Sequence, residues 1–275
     1  VKDLLRIALA QLVSVDNVES NFFQIKEILN QVKADHPQMV FFPENCLYFR
    51  IKEGEAIPTF EITDLIFQEL SSLALNLNTN LHLGSVPLKI NSQVFNSSVM
   101  IWSDGKIEAT YQKNHLFDIQ LTHQNSIKES DVFSHGSEAK ILNFENWKFG
   151  QSICYDIRFS ELYSYYAHND VDALLIPSAF LVKTGQSHWE ILNKARAIEN
   201  QCYVISSAQG GVHKSTVHPN LQRETYGNSL VIDPWGNEII CLKSGLNSYV
   251  TELSKKSIQN VRSQIPMKSQ RKTHF

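Results

Sequence analysis

No stretch of this 275-residue chain approaches the roughly 20 consecutive apolar residues that a membrane-spanning helix needs, so a helical membrane protein is not expected. Its four cysteines, Cys46, Cys154, Cys202 and Cys241, lie far apart and form no C-x-x-C pair. That spacing points to neither a zinc site nor a disulfide framework, and no metal is expected. Charge of one sign is equally scarce. A formal net charge of -3 leaves no electrostatic footprint for nucleic acid or an anionic membrane, and the locally basic run from Lys255 to Lys268 reads as a solvated end. No G-x-G-x-x-G or G-x-x-x-x-G-K-[ST] run follows any strand pattern, which weighs against a nucleotide-binding module. No Pro/Gly/Ser-rich linker divides the chain, so one domain over residues 1–275 is the expectation. The chain opens directly on a strand pattern without a signal-peptide pattern, and a cytoplasmic protein is expected.

What is present is an α/β rhythm. With 43% hydrophobic and 19% charged residues the chain can bury a sizeable core. Leu4 to Leu12 has the pattern of a strand, and Asn21 to Val32 carries Phe22, Ile25, Ile28, Leu29 and Val32 at helical intervals. Met39 to Phe42 is a short apolar strand stopped by Pro43-Glu44, Glu61 to Leu77 an amphipathic helix, and Leu81 to Val86 another strand. Phe95 to Trp102, the turn Ser103-Asp104-Gly105 and Ile107 to Tyr111 make a hairpin. Asn114 to Ser137 is polar and aperiodic, and a loop of that length in a compact domain is usually functional.

The second half repeats this order. Val171 to Ile176 with Pro177 echoes Met39 to Phe42 with Pro43, the helix Ser187 to Asn200 echoes Glu61 to Leu77, and Cys202 to Ala208 echoes Leu81 to Val86. Asn96 to Ile101 before Asp104-Gly105 parallels Asn228 to Ile232 before Asp233-Pro234-Trp235-Gly236. Two α/β halves with one rhythm predict two sheets packed face to face with helices outside, a four-layer α-β-β-α sandwich. In the helix from Ser187, Leu192, Ala195 and Ile198 are expected to face the core, with His188 and Trp189 packing beside them. His213 to Arg223 is expected to be an irregular, mobile loop near a pocket or a dimer contact.

Three positions combine chemistry with placement. Glu44 follows a buried strand, at the end where open α/β sheets put their sites. Lys113 follows a hairpin strand. Cys154 stands where the strand pattern of Phe149, Gln151 and Ile153 gives way to Phe159, Leu162, Tyr163 and Tyr166 at helical spacing. At such a corner backbone N–H groups lie ready to steady an anion. Taken singly, a buried cysteine is packing, a glutamate a helix cap, and a lysine an exposed strand end.

Together with their neighbours these positions resemble a known family. Phe42-Pro43-Glu44-Asn45, Tyr111-Gln112-Lys113-Asn114-His115-Leu116-Phe117-Asp118 and Cys154-Tyr155-Asp156-Ile157-Arg158-Phe159 are similar to the three signature blocks of the nitrilase superfamily of carbon–nitrogen hydrolases. Pro177-Ser178-Ala179-Phe180, Thr184 to Glu190, Arg196 to Val204 and Asp233-Pro234-Trp235-Gly236 resemble its Nit branch, from about Leu4 to Val250. The resemblance implies a sandwich of the nitrilase type and a cysteine-dependent amidase that passes through a thioester. In it Cys154 is the nucleophile, Glu44 the base, Lys113 with the Tyr155 backbone N–H the oxyanion site, and Glu129 the group that orients Lys113 and the attacking water. It places Arg158, Phe180 and Thr184 around the substrate, with Tyr48 and His115 as further lining candidates. For Arg158 the rival role is an ion pair with Asp156 or Glu161. The implied substrate is a small carboxylated amide: deaminated glutathione, or alternatively 2-oxoglutaramate or 2-oxosuccinamate as in an omega-amidase. No cofactor is implied, and the expected assembly is a homodimer with the tail at about 255–275 at its interface. A reading of another class is an α/β scaffold without catalysis, which would have no use for the glutamate, lysine and cysteine.

Overall fold

A computed structural model of the chain describes residues 3–120 and 126–272; parts of the expected 114–137 loop and of the 255–275 tail, at 121–125 and 273–275, lie outside the described residues. In the first half, strand β1 (Leu4–Gln11), helix α1 (Val18–Val32), β2 (Met39–Phe41), α2 (Leu65–Leu77), β3 (Asn80–Ile90), β4 (Gln93–Ile101) and β5 (Ile107–Gln112) follow one another. The short strands β6 (Asp118–Gln120) and β7 (Ser126–Lys128) come next. The second half runs β8 (Ile141–Phe144), β9 (Trp147–Gln151), α3 (Ser160–His168), β10 (Ala173–Leu175), α4 (Val182–Asn200) and β11 (Tyr203–Ser206). It continues through β12 (Gly210–Lys214), β13 (Gln222–Tyr226), β14 (Leu230–Ile232), β15 (Glu238–Cys241), β16 (Asn247–Ser254) and α5 (Lys255–Gln264).

Two six-stranded sheets result, ordered β16-β1-β2-β3-β4-β5 and β15-β14-β11-β10-β9-β8. Each has three parallel strands at its centre and antiparallel strands outside them. The echo between the halves is therefore structural: β2 answers β10, α2 answers α4, β3 answers β11 and β4 answers β14.

The central strands are apolar on both faces because both faces are covered. Leu5, Ile7, Leu9, Met39 and Phe41 share one buried cluster with Phe149, Leu175, Tyr203 and Ile205, which is the layer between the sheets. The alternate residues Ala8, Ala10, Val40 and Phe42 pack with Ile25, Ile28, Leu29, Phe67 and Leu70 of α1 and α2. Leu174, Val204 and Ile232 pack with Leu162, Tyr166, Trp189 and Ala197 of α3 and α4. Three apolar layers between four layers of structure make the α-β-β-α sandwich.

Element ends depart from the periodicity for local reasons. Helix α1 starts earlier than Asn21 because the Asn17 side chain accepts from Ser20 N at 2.8 Å and caps it. Helix α2 starts later than Glu61 because Asp64 turns back to take Glu61 N at 2.9 Å, holding a turn ahead of the helix. Helix α4 starts five residues before Ser187 and includes Gly185, whose missing Cβ makes room for the ring of Tyr226 on β13. Its core face is also not the apolar one expected: Trp189, Asn193, Arg196, Ala197 and Asn200 are buried, while Ile198 is exposed. Asn193 takes a hydrogen bond from Ser206 at 2.5 Å, Arg196 donates twice to the carbonyl of Ile157 and Asn200 Nδ2 donates to the carbonyl of Arg196 at 2.9 Å, so hydrogen bonds hold the polar face in place.

The segment His213 to Arg223 is irregular only at 215–221, and its end at Arg223 lines a cleft, but it is tied down rather than free. Its two ends belong to an antiparallel β12–β13 ribbon, His213 is fully buried against Phe49, and Ser215 and Thr216 are tied to Asp16. The 114–137 stretch likewise contains the β6–β7 pair and a 3-10 turn at Glu129–Asp131. Helix α5 packs on its own chain through buried Ile258, Lys255 to Asp172 and Arg262 to the carbonyl of Val171. Among the described residues no helix is long and apolar enough to cross a membrane.

Candidate active site

The parallel strands of both sheets end at one edge of the sandwich, and the chain segments leaving them are stitched together there. Ser207 Oγ donates to the carbonyl of Phe41 at 2.8 Å, and Gln209 Nε2 to that of Glu44 at 3.0 Å. Strand β3 is irregular between Leu83 and Val86, and the displaced Ser85 receives Asn45 N on its hydroxyl and Cys46 N on its carbonyl. This bulge holds the segment that carries Glu44.

Glu44, Lys113, Glu129 and Cys154 come together at this edge. Lys113 Nζ lies 2.8 Å from Glu44 Oε1, and 3.1 and 2.8 Å from the two oxygens of Glu129. Its side chain is 2% exposed, so the ammonium is buried between the two carboxylates. Asn96 on β4 binds them together, donating to Glu44 at 3.1 Å and to Glu129 at 2.8 Å, and Phe117 N donates to Glu129 at 2.7 Å. Burial alone would favour the neutral Lys113 amine, but the charges of Glu129 and Glu44 outweigh it and hold the pKa well above the lysine range.

Cys154 opens a 3-10 turn, Cys154–Arg158, directly after β9. It is buried and adopts φ +49, a left-handed conformation uncommon in a non-glycine residue. Its own N–H donates to the carbonyl of Pro177 at 2.9 Å. Burial first, and then the charge of Glu44, push the thiol well above its usual range; Lys113 and the Ala179 backbone pull the other way. One ammonium between two carboxylates leaves the cluster a net negative charge, and the thiol therefore rests protonated beside Glu44.

Asp156 fixes this turn against the lysine segment. Its carboxylate receives Tyr111 Oη at 2.8 Å, His115 N at 2.9 Å and Ile153 N at 2.9 Å, and lies 2.7 Å from His115 Nδ1. Tyr111 and His115 flank Lys113, so one buried acid sets the lysine and the cysteine relative to each other. These bonds occupy Asp156, and Arg158 pairs with neither it nor Glu161. The Arg158 guanidinium instead lies over the rings of Tyr155 and Phe180, 5.7 and 5.5 Å from their centroids, and donates to His188 Nδ1 at 3.2 Å. His188 is accordingly an exposed neighbour of the cleft's arginine, not a packing residue, whereas Trp189 is buried and donates to the carbonyl of Asn228.

A cleft opens over Cys154, Glu44, Lys113 and Glu129. Tyr48, Tyr155, Arg158, Phe180 and Thr184 line it. His115 does not line it: its ring is held by Asp156 and stacked on Phe159 at 3.7 Å, which keeps it behind the wall. The Thr184 hydroxyl donates to the carbonyl of Leu181 in the first turn of α4. Reading the sequence missed Asn96, Asp156, Arg50 and Arg223. Asn96 showed only as part of the internal repeat, and Arg223 only as the end of the segment from His213. Glu190, Glu238 and Cys241 also bring ligand atoms within 4.8 Å of one another, but at the surface and away from this cleft.

An α-β-β-α sandwich with a buried cysteine, glutamate and lysine at the sheet edge defines the class of carbon–nitrogen hydrolases. The carbon-nitrogen hydrolase family profile matches residues 6–261, and the chain belongs to that family. Within it the chain is similar to the deaminated glutathione amidase of Dictyostelium discoideum, 36% identical over 98% of this chain and 94% of that protein. The crystal structure of the C. elegans NitFhit protein superimposes with a TM-score of 0.88 at 32% identity, covering 98% of this chain and 65% of that longer one. Nit3 of Saccharomyces cerevisiae, a member of branch 10 of the nitrilase superfamily, superimposes with a TM-score of 0.81 at 25% identity over 99% and 97% of the two chains.

Proposed function

We propose that this hydrolase is an amidase that cleaves deaminated glutathione through a thioester on Cys154. The observation that carries the reading is the buried Lys113 ammonium shared by Glu44 and Glu129 beside a thiol held in the left-handed region. A protonated thiol needs a base at the moment of attack, and Glu44 lines the same cleft beside it. Glu44 takes the thiol proton as sulfur bonds to the amide carbon. Lys113 and the Tyr155 N–H, in the first turn of the 3-10 helix, steady the oxyanion. As the C–N bond breaks, Glu44 returns the proton to the leaving amine. Water then attacks the thioester, losing a proton to Glu44; as the C–S bond breaks the acid leaves and Glu44 returns that proton to the Cys154 sulfur. Glu129 orients Lys113 and that water.

Arg158, Phe180, Thr184 and Tyr48 supply the walls, and Arg158 offers a carboxylate its two parallel N–H groups. The reaction draws on these side chains alone, with no cofactor or metal. We read residues 1–275 as one catalytic unit, working as a cytoplasmic homodimer with the tail at about 255–275 near the partner; sedimentation at twice the chain mass is the expected result. For the activity, Cys154→Ala should lower turnover of deaminated glutathione by at least about 1,000-fold while leaving the melting temperature within a few degrees. Undiminished turnover by a folded Cys154→Ala protein would sink the amidase reading.

A further inference from the structure

The cleft has a second cationic group that the chemistry of amide hydrolysis does not use. Arg50 and Glu53 lie on the segment after β2, and Arg223 lies on β13; all three line the cleft that holds Cys154. Arg50 Nη2 is 2.9 Å from Glu53 Oε2, and Arg223 Nη1 is 2.8 Å from Glu53 Oε1, so each oxygen of Glu53 is taken by a different arginine. Arg223 Nη1 also donates to the carbonyl of Arg50 at 2.9 Å, and its guanidinium lies 5.4 Å from the centroid of Phe49.

Two guanidinium groups against one carboxylate leave a net positive charge. The acid is also the loosest member of the three, its side chain 45% exposed against 19% for Arg50 and 25% for Arg223. Burial, with Arg50 adding to it, pulls Arg223 below the usual arginine range although Glu53 opposes this. Arg158 is built separately, on the cysteine turn, and touches Tyr155, Phe180 and His188, none of which contacts the Arg50–Arg223 pair through a hydrogen bond, ion pair or ring contact. Among the described residues Arg158 has no carboxylate partner. One cleft thus holds two independent seats for a carboxylate, one open and one held by an exposed glutamate.

We propose that Arg50 and Arg223 form a carboxylate subsite for the leaving amine, with Glu53 occupying it until substrate displaces it, so that the substrate is an amide carrying one carboxylate on each side of the scissile bond. This rests on the amidase reading above and sharpens it. Arg158, four residues from the nucleophile on the same turn, takes the acyl-side carboxylate. The amine half is then directed to the outer segment and the ribbon. A mono-anionic oxo-amide that releases only ammonia fills one seat and leaves Glu53 where it is.

The test uses two amides of the same 2-oxo diacid, one with the dipeptide Ala-Gly as leaving amine and the other with its C-terminal carboxamide, which differ by one charge. For the unaltered enzyme kcat/KM should favour the carboxylate form by about 30-fold, as a charge-assisted pair provides. Arg223→Gln should shrink that ratio to a few-fold. Glu53→Gln, which removes the internal competitor and spares both arginines, should raise the ratio several-fold, an effect that loss of a merely structural ion pair would not produce. Equal rates on the two amides, or variants that leave the ratio unchanged, would overturn the subsite. Calorimetric binding of both amides to the folded Cys154→Ala protein reads the same ratio without turnover. If neither amide is hydrolysed yet the carboxylate form binds that protein more tightly and loses its advantage in Arg223→Gln, the subsite stands and the amidase reading falls.

Discussion

At the residue scale the site is a matter of which charges share one proton. The Cys154 thiol is pushed up by burial and by Glu44, with Lys113 acting against them, so the free protein holds a thiol, and in the mechanism proposed above it becomes nucleophilic only as Glu44 accepts its proton. This separates the site from cysteine sites in which an imidazolium keeps a resting thiolate. Alkylation of Cys154 by iodoacetate reports the resting state, because it needs thiolate without offering an amide for the base to work on. Its rate should climb about tenfold per pH unit through pH 8 and 9 with no plateau below pH 9. A plateau near neutrality would mean a resting thiolate and would remove the need for Glu44 as the base. Lys113 can sit 2% exposed because two acids and the Asn96 bridge replace its water. Breaking such a buried arrangement on one side costs on the order of 3–5 kcal/mol.

At the scale of elements the functional edge depends on how closely the two halves approach. A Cβ on Gly84 would stand 2.2 Å from the carbonyl oxygen of Phe42 and 2.3 Å from the Cβ of Pro177, one from each half, and neither neighbour can swing away. Gly84→Ala should therefore cost about 3 kcal/mol in urea unfolding and lower activity with it. Gly54→Ala has nothing within 4 Å and only its φ of +75 to strain, so about 1 kcal/mol is expected there. Equal losses at the two sites would show that the halves are not closely packed at Gly84. The same closeness explains what could be read from the residues beforehand. Strands buried on both faces announce themselves as apolar runs, and their repeated order gave the layered architecture. The glutamate and the cysteine were visible because each follows such a strand, and the lysine because it ends a hairpin. Helix α4 was misread because its buried face is Asn193, Arg196 and Asn200, held by hydrogen bonds that apolar periodicity does not register. Asn96, Asp156 and Arg223 escaped for a related reason: they bind groups distant in the chain, and no local spacing records such partners.

For the whole molecule, the groups that couple folding to pH lie in both halves. His82 on β3 is 1% exposed beside Phe41 with Nε2 unpartnered, and His213 on the ribbon is fully buried, stacked on Phe49 with Nδ1 2.6 Å from the carbonyl oxygen of Ser14. Burial brings each down from 6.5 to about 4. The folded state thus resists protonating them, while the unfolded chain takes up both protons near pH 6.5. Their effect is nil above pH 6.5 and grows as a loss of stability between pH 6.5 and about 4. Below that the folded state protonates too. A depression of this size corresponds to roughly 3 kcal/mol per histidine, against a typical total of about 5–15 kcal/mol for a folded domain. Unfolding free energy measured by urea should therefore fall steeply from pH 6.5 to 4, and His82→Gln should reduce that slope by up to about 1.4 kcal/mol per pH unit. His82 is the better choice for the test, because His213 stacks on the Phe49 ring that also carries Arg223, and changing it would disturb the cleft as well as the proton balance. An unchanged slope in the His82→Gln protein would mean that this ring is reached by solvent in the native state, and the tight seam between the sheets at Phe41 would have to be abandoned.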